Sequence, residues 1–339
     1  MPTEREVTCL PSGSGGCTAR RPAGGRVRAA VRLAAGRLAA YVRGMRGFRS
    51  AAVAAGDARI NVRYGGSGPP LLLLHGFPQT LLMWRDIAPL LAADFTVVCA
   101  DLRGYGRSSC PPSTADHAPY SKRVLAQDMV TVMKELGFDR FGVAGHDRGG
   151  RVAYRAALDH SASIDKLAVL DVLPVDTVWD RADARMALAF WPWSLLAQAE
   201  PLPERLIGAA PDAVIAHALS GEWGTPAGTF DDATRAAYVE ALSDPEHVHA
   251  ICEEYRAAAT IDREHDAADR QAGRRITCPV LALWSRGGPL GTWYRDVGGP
   301  RALWREIADQ VTGGTVDGGH FFPEEHPEQI ATVLADFFA

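Results

Sequence analysis

Short apolar runs recur from residue 51 onward, with stretches of helical spacing between them. Residues 58–64 alternate apolar and polar positions, the two-residue period of a half-buried strand. Residues 71–74 are all leucine, and residues 95–100 form a second apolar run. Both suit strands of a parallel sheet that is covered on both faces. Further strands are expected at 141–144, 166–170 and 279–284, with a weak last one at 315–316. Helices are expected at 121–136, capped by Ser121, and at 152–158. This alternation predicts an α/β fold, a mostly parallel sheet with helices on both faces.

From about 174 to 266 the strand signal stops. The spacing is helical, broken by Pro192, Pro201, Pro203, Pro211, Pro226 and Pro245, and rich in aromatics such as Trp179, Trp191, Trp193, Trp223, Tyr238 and Tyr255. A helical lid inserted after the sixth strand is expected there, over the carboxyl edge of the sheet. The expected division is therefore a core of 45–173 and 267–339 with a helical cap of 174–266.

Residues 1–44 stand apart. Arg20, Arg21, Arg26, Arg28, Arg32, Arg37 and Arg43 outnumber Glu4 and Glu6, and the stretch lacks the apolar segment of a secretory signal. It reads as a disordered basic tail, a basic surface-binding arm, or upstream sequence ahead of a true start at Met45. The third is the expectation, because ordinary domain pattern begins directly after Met45. The formal charge of -4 on 339 residues argues against nucleic acid as a partner. No apolar run is long enough to span a bilayer. The six cysteines show no C-x-x-C spacing, so a reduced interior without metal or cofactor, in a cytoplasmic setting, is expected. A homodimer is left open.

Chemistry concentrates in Gly145-His146-Asp147-Arg148-Gly149, which has the G-x-nucleophile-x-G frame of a strand–turn–helix elbow with Asp at its centre. The carboxylate changes the reaction. A serine that displaces a leaving group from a saturated carbon ends as an ether, which water cannot readily cleave. A carboxylate ends as an ester, which water can. Asp147, Asp171 and His320 all follow strand signals, at the edge where sites form in open α/β sheets. His320 sits in a glycine-flanked loop and needs an orienting acid. After the 279–284 strand the chain reads Ser285-Arg286-Gly287-Gly288, with no carboxylate until Asp296, so Asp171 is the expected partner.

Two further groups complete the expected site. His75-Gly76-Phe77-Pro78 follows the leucine strand, and the backbone N–H groups of Phe77 and Arg148 would form an oxyanion hole. Arg148 and Arg151 lie three apart at the start of a helix, where anions are already favoured. Two guanidiniums there can grip a carboxylate and keep Asp147 ionised. The implied substrate is a small molecule carrying its own carboxylate. Asp101 to Ser108 reads as a structural turn.

With these residues the chain resembles the α/β-hydrolase superfamily, and within it the haloacetate and fluoroacetate dehalogenases. The likeness spans nearly all of residues 50–339. It rests on His75 to Thr80, Asp101 to Ser108, Gly145 to Arg151, Leu170-Asp171, Cys252 to Ala257 and Gly319-His320-Phe321. It implies that Asp147 displaces halide and that His320, oriented by Asp171, activates the water that cleaves the ester. Arg148 and Arg151 would hold the carboxylate of a 2-halo acid, releasing glycolate from haloacetate. Trp193 and Tyr255 match two members of the family's halide pocket. Its third member, a His, is replaced by Pro192, which has no donor, so chloride and bromide are favoured over fluoride. Two alternatives stay open. One is an epoxide hydrolase with the same Asp-His-Asp set, using Tyr255 and Tyr238 on the epoxide oxygen. The other is a non-catalytic receptor that only binds.

Overall fold

The computed structural model describes residues 45–339, so the expectations for residues 1–44 lie outside the described residues. The strands are β1 (Arg49–Ala55), β2 (Ala58–Gly66), β3 (Pro70–Leu74), β4 (Thr96–Ala100), β5 (Phe141–His146), β6 (Ile164–Leu170), β7 (Val280–Ser285) and β8 (Val311–Val316). They form one sheet in the order β1-β2-β4-β3-β5-β6-β7-β8. β2 runs antiparallel to both its neighbours, and the remaining pairings are parallel. Sequence patterning did not anticipate β1. Its run of Arg, Ser, Ala and Val carries little strand preference and gains order by pairing with β2 along its whole length.

The leucines of β3 show why a continuous apolar run suits this position. Leu72 and Leu74 enter the core on one face of the sheet, Leu71 and Leu73 the core on the other. A strand sends alternate side chains to opposite faces, so a strand covered twice must be apolar at every position. The helix Lys122–Glu135 is capped by Ser121, whose hydroxyl accepts from Val124 N–H at 3.4 Å.

Between β6 and β7 the chain builds the cap, a series of helices from Val175–Asp180 to Ile261–Gln271. The expected return to the core at residue 267 falls inside that last helix. The helix continues because Asp266 and Asp269 both pair with Arg155 of the core, each at 2.5 Å. Tyr154 donates to Asp266 at 2.8 Å beside them. These pairs fasten the cap over the carboxyl ends of the strands, where β5 runs into Asp147 and β6 into Asp171.

Candidate active site

Asp147 opens the helix Asp147–Asp159 directly from β5, with φ of 44°. Few residues besides glycine tolerate this backbone, and Asp is among those that do. The flanking glycines are required by space. A Cβ on Gly145 would lie 2.4 Å from the Gly149 backbone, and one on Gly149 2.5 Å from the carbonyl oxygen of His75. The tight turn raises the carboxylate above the sheet edge. There Phe77 N–H donates to Oδ2 at 3.1 Å, and Arg151 Nη1 donates to Oδ1 at 2.9 Å. The second expected oxyanion donor, Arg148 N–H, follows directly at the helix start. Burial works against the charge on Asp147, but Arg151, His320 and Arg148 outweigh it and hold the carboxyl well below its ordinary range.

His320 and Asp171 meet as the sequence suggested. Their Nδ1 and Oδ2 atoms are 2.7 Å apart. Asp171 also has positive φ, 48°, so strain is stored at both carboxylates. β7, which carries no acid at its end, contributes differently: Ser285 N–H donates to Asp171 Oδ1 at 3.0 Å. Each oxygen of Asp171 is thereby fixed. Burial disfavours the charged imidazole, but the Asp171 bond and charge prevail and raise the pKa of His320 above its ordinary value. His146, pushed by burial down to about 3, is neutral. Its Nε2 donates to the carbonyl of His320 at 2.8 Å and braces the His320 loop.

The two arginines divide their work, which spacing alone did not reveal. Arg151 lines the cavity beside Asp147, whereas Arg148 lies a layer behind it, fully buried. The Arg148 guanidinium stacks on the Tyr255 ring, 3.9 Å from its centroid, and Nη2 approaches Glu254 Oε1 at 2.7 Å. Glu254 also pairs with buried Lys122, which in turn reaches Asp262. Nη1 of Arg148 and Nε of Arg151 are among the buried side-chain atoms without a hydrogen-bond partner. Such open donors are costly in a dry site and suit an anionic ligand. Glu254 lies in the Cys252 to Ala257 stretch, but its pairing with Lys122 had no sequence signal, because residues 132 apart in the chain become neighbours only in the folded protein.

A cavity of about 40 Å³ adjoins Asp147, Arg151 and His320, lined by Phe77, Pro192, Trp193, Trp223, Tyr255 and Leu290 among others. It has room for only a few water-sized groups. Burial keeps the Tyr255 phenol protonated, far above its ordinary range, so its hydroxyl remains a donor. Pro192 sits in the first turn of the helix Trp191–Leu196, where its missing N–H costs nothing, and borders the cavity without offering a donor. Trp223, one of the lid aromatics, lies against His320, with ring centroids 5.5 Å apart.

The family description "alpha/beta hydrolase fold" matches residues 69–327. Over 293 residues the chain is 43% identical to a fluoroacetate dehalogenase of Burkholderia sp, covering 86% of this chain and 94% of that protein. It is 33% identical over 294 residues to a soluble epoxide hydrolase of Corynebacterium sp. (strain C12), covering 83% and 94%. A solved structure of an alpha/beta hydrolase from Nostoc sp PCC 7120 superposes with a TM-score of 0.82 at 48% identity, covering 86% of this chain and 97% of that one. With this match and the strand–elbow–helix geometry around Asp147, the chain belongs to the alpha/beta hydrolase family.

Proposed function

We propose that this hydrolase is a dehalogenase that converts haloacetates to glycolate and halide through an ester on Asp147, acting on chloro- and bromoacetate ahead of fluoroacetate. One observation carries the reading. Arg151 both holds the nucleophile at 2.9 Å and lines a cavity of about 40 Å³. A cation in so small a space beside a carboxylate nucleophile selects a short substrate with its own negative charge. The likeness to a fluoroacetate dehalogenase supports it.

The carboxylate of the substrate takes the open N–H of Arg151 at the cavity, while Arg148 stays a layer behind it. Asp147 Oδ1 attacks the carbon that bears the halogen; the new C–O bond forms as the carbon–halogen bond breaks, and its electron pair leaves with the halide beside Trp193 and Tyr255. His320 then takes a proton from water, and the hydroxide adds to the ester carbonyl of Asp147. The oxyanion faces the N–H groups of Phe77 and Arg148. Collapse breaks the acyl C–O bond, and glycolate leaves with the proton from His320. The water oxygen stays in the Asp147 carboxyl, the former Oδ1 leaves in glycolate, and the remaining proton of the water dissociates from that carboxyl to solvent, which restores the carboxylate.

An epoxide hydrolase is the second reading, favoured by the protonated Tyr255 at the cavity and the likeness to a soluble epoxide hydrolase. Halide release from chloro-, bromo- and fluoroacetate, assayed beside diol formation from a small neutral epoxide, separates the two. Turnover of the epoxide alone would overturn the dehalogenase reading. Asp147→Asn should abolish halide release in the same assay, since an amide is a poor nucleophile at carbon, with mass spectrometry checking that the amide has not reverted to Asp.

A further inference from the structure

The loop of the base is held by the cap, and one core side chain makes the tie. His320 N–H donates to the carbonyl of Trp223 at 2.9 Å. Next to it, Gly319 lies so close to the cap that a Cβ there would come within 2.2 Å of Thr225 N. Glu325 spans the seam. Its Oε2 accepts from Gly319 N–H at 2.8 Å, and its Oε1 accepts from the Thr225 hydroxyl at 2.7 Å. Thr225 is buried, so this second bond is sheltered from water. The nucleophile is held by other groups, Phe77 and Arg151, which Glu325 does not bridge.

We infer that Glu325 is a positioning residue that locks the His320 loop to the cap loop Trp223 to Thr225 and serves ester hydrolysis rather than ester formation. A base contributes through its placement, and a displacement of about 1 Å can cost on the order of a hundredfold. The first half-reaction needs Asp147 and its donors alone. The second needs His320 at a fixed distance from a water molecule. Glu325 therefore makes the seating of the cap a condition for release of the product.

The inference rests on the proposed ester chemistry and is tested with chloroacetate. Glu325→Ala should lower kcat about ten- to hundredfold while leaving kcat/KM, which reports ester formation and halide release, within about twofold. KM should fall in proportion, and mass spectrometry should find the glycolyl ester on Asp147 in the steady state. Thr225→Val, which cuts only the cap end of the tie, should show the same pattern in weaker form. Glu325→Gln keeps an acceptor for one of the two donors and should recover part of kcat. Equal losses of kcat and kcat/KM, or an unchanged kcat, would overturn the assignment, since a merely structural residue or an idle one gives those results. His320→Asn is the control. An ester that accumulates there but not in Glu325→Ala overturns the positioning role alone, whereas no ester in either overturns the proposed reaction as well.

Discussion

Arg151 Nη1 stands 2.9 Å from Asp147 Oδ1, one helical turn along the helix that Asp147 opens. This pairing, not that of Arg148 with Arg151, sets the charge at the site. Arg151 favours the ionised Asp147 and faces the cavity at once, while Arg148 is matched by Glu254.

Arg151→Met should therefore cost more on an anionic substrate than on its neutral counterpart. A charge-assisted bond is worth about 1.5–3 kcal/mol, which is on the order of tenfold to a hundredfold in kcat/KM. The ratio of kcat/KM for chloroacetate over chloroacetamide should drop by that factor. An unchanged ratio would place the carboxylate elsewhere.

In the proposed reaction the pH profile follows from His320, which must be neutral to take a proton from water. The Asp171 bond raises its pKa against the effect of burial, so turnover should rise with pH along a limb centred above about 6.5. Asp171→Asn removes the charge that favours the imidazolium. The limb should move to lower pH while the plateau falls on the order of 10²–10⁴-fold. A limb that stays put or moves upward would separate Asp171 from the base.

Pro192 gives a prediction about halogen preference. Fluoride concentrates developing charge on a small atom and depends on donors placed around it. Trp193 and Tyr255 border the cavity with two, and Pro192 adds none. Chloroacetate should be processed about tenfold to a hundredfold faster than fluoroacetate, and Pro192→His should narrow the gap. Equal native rates on both substrates would mean that another donor serves the fluoride.

The Arg148–Glu254–Lys122 group gives a prediction about stability. Glu254→Ala leaves buried Arg148 without its counter-charge and buried Lys122 with Asp262 alone, at a cost of about 3–5 kcal/mol. Urea unfolding should show a large fall in the midpoint. Glu254→Gln keeps some hydrogen bonds and should lose less. A midpoint close to the native one for Glu254→Ala would show that Lys122 and Arg148 find other partners.

The sequence by itself determined the layered α/β fold, the lid after β6, and the placing of Asp147, Asp171 and His320 at strand ends. These features are local. Wholly apolar runs mark strands covered twice, and a glycine frame around an acid marks a turn that only such residues can make. β1 stayed hidden because its small residues carry no period, and its order comes from pairing with β2. What only the tertiary structure decided is which charges meet. Spacing on one helix made Arg148 and Arg151 look equivalent. Glu254, 106 residues beyond Arg148, makes them different by neutralising one and leaving the other at the cavity. Glu325 likewise gains its place between Gly319 and Thr225 only when the cap settles on the core. Electrostatic partners act over a few ångströms of space and are indifferent to distance along the chain, so a linear pattern cannot display them.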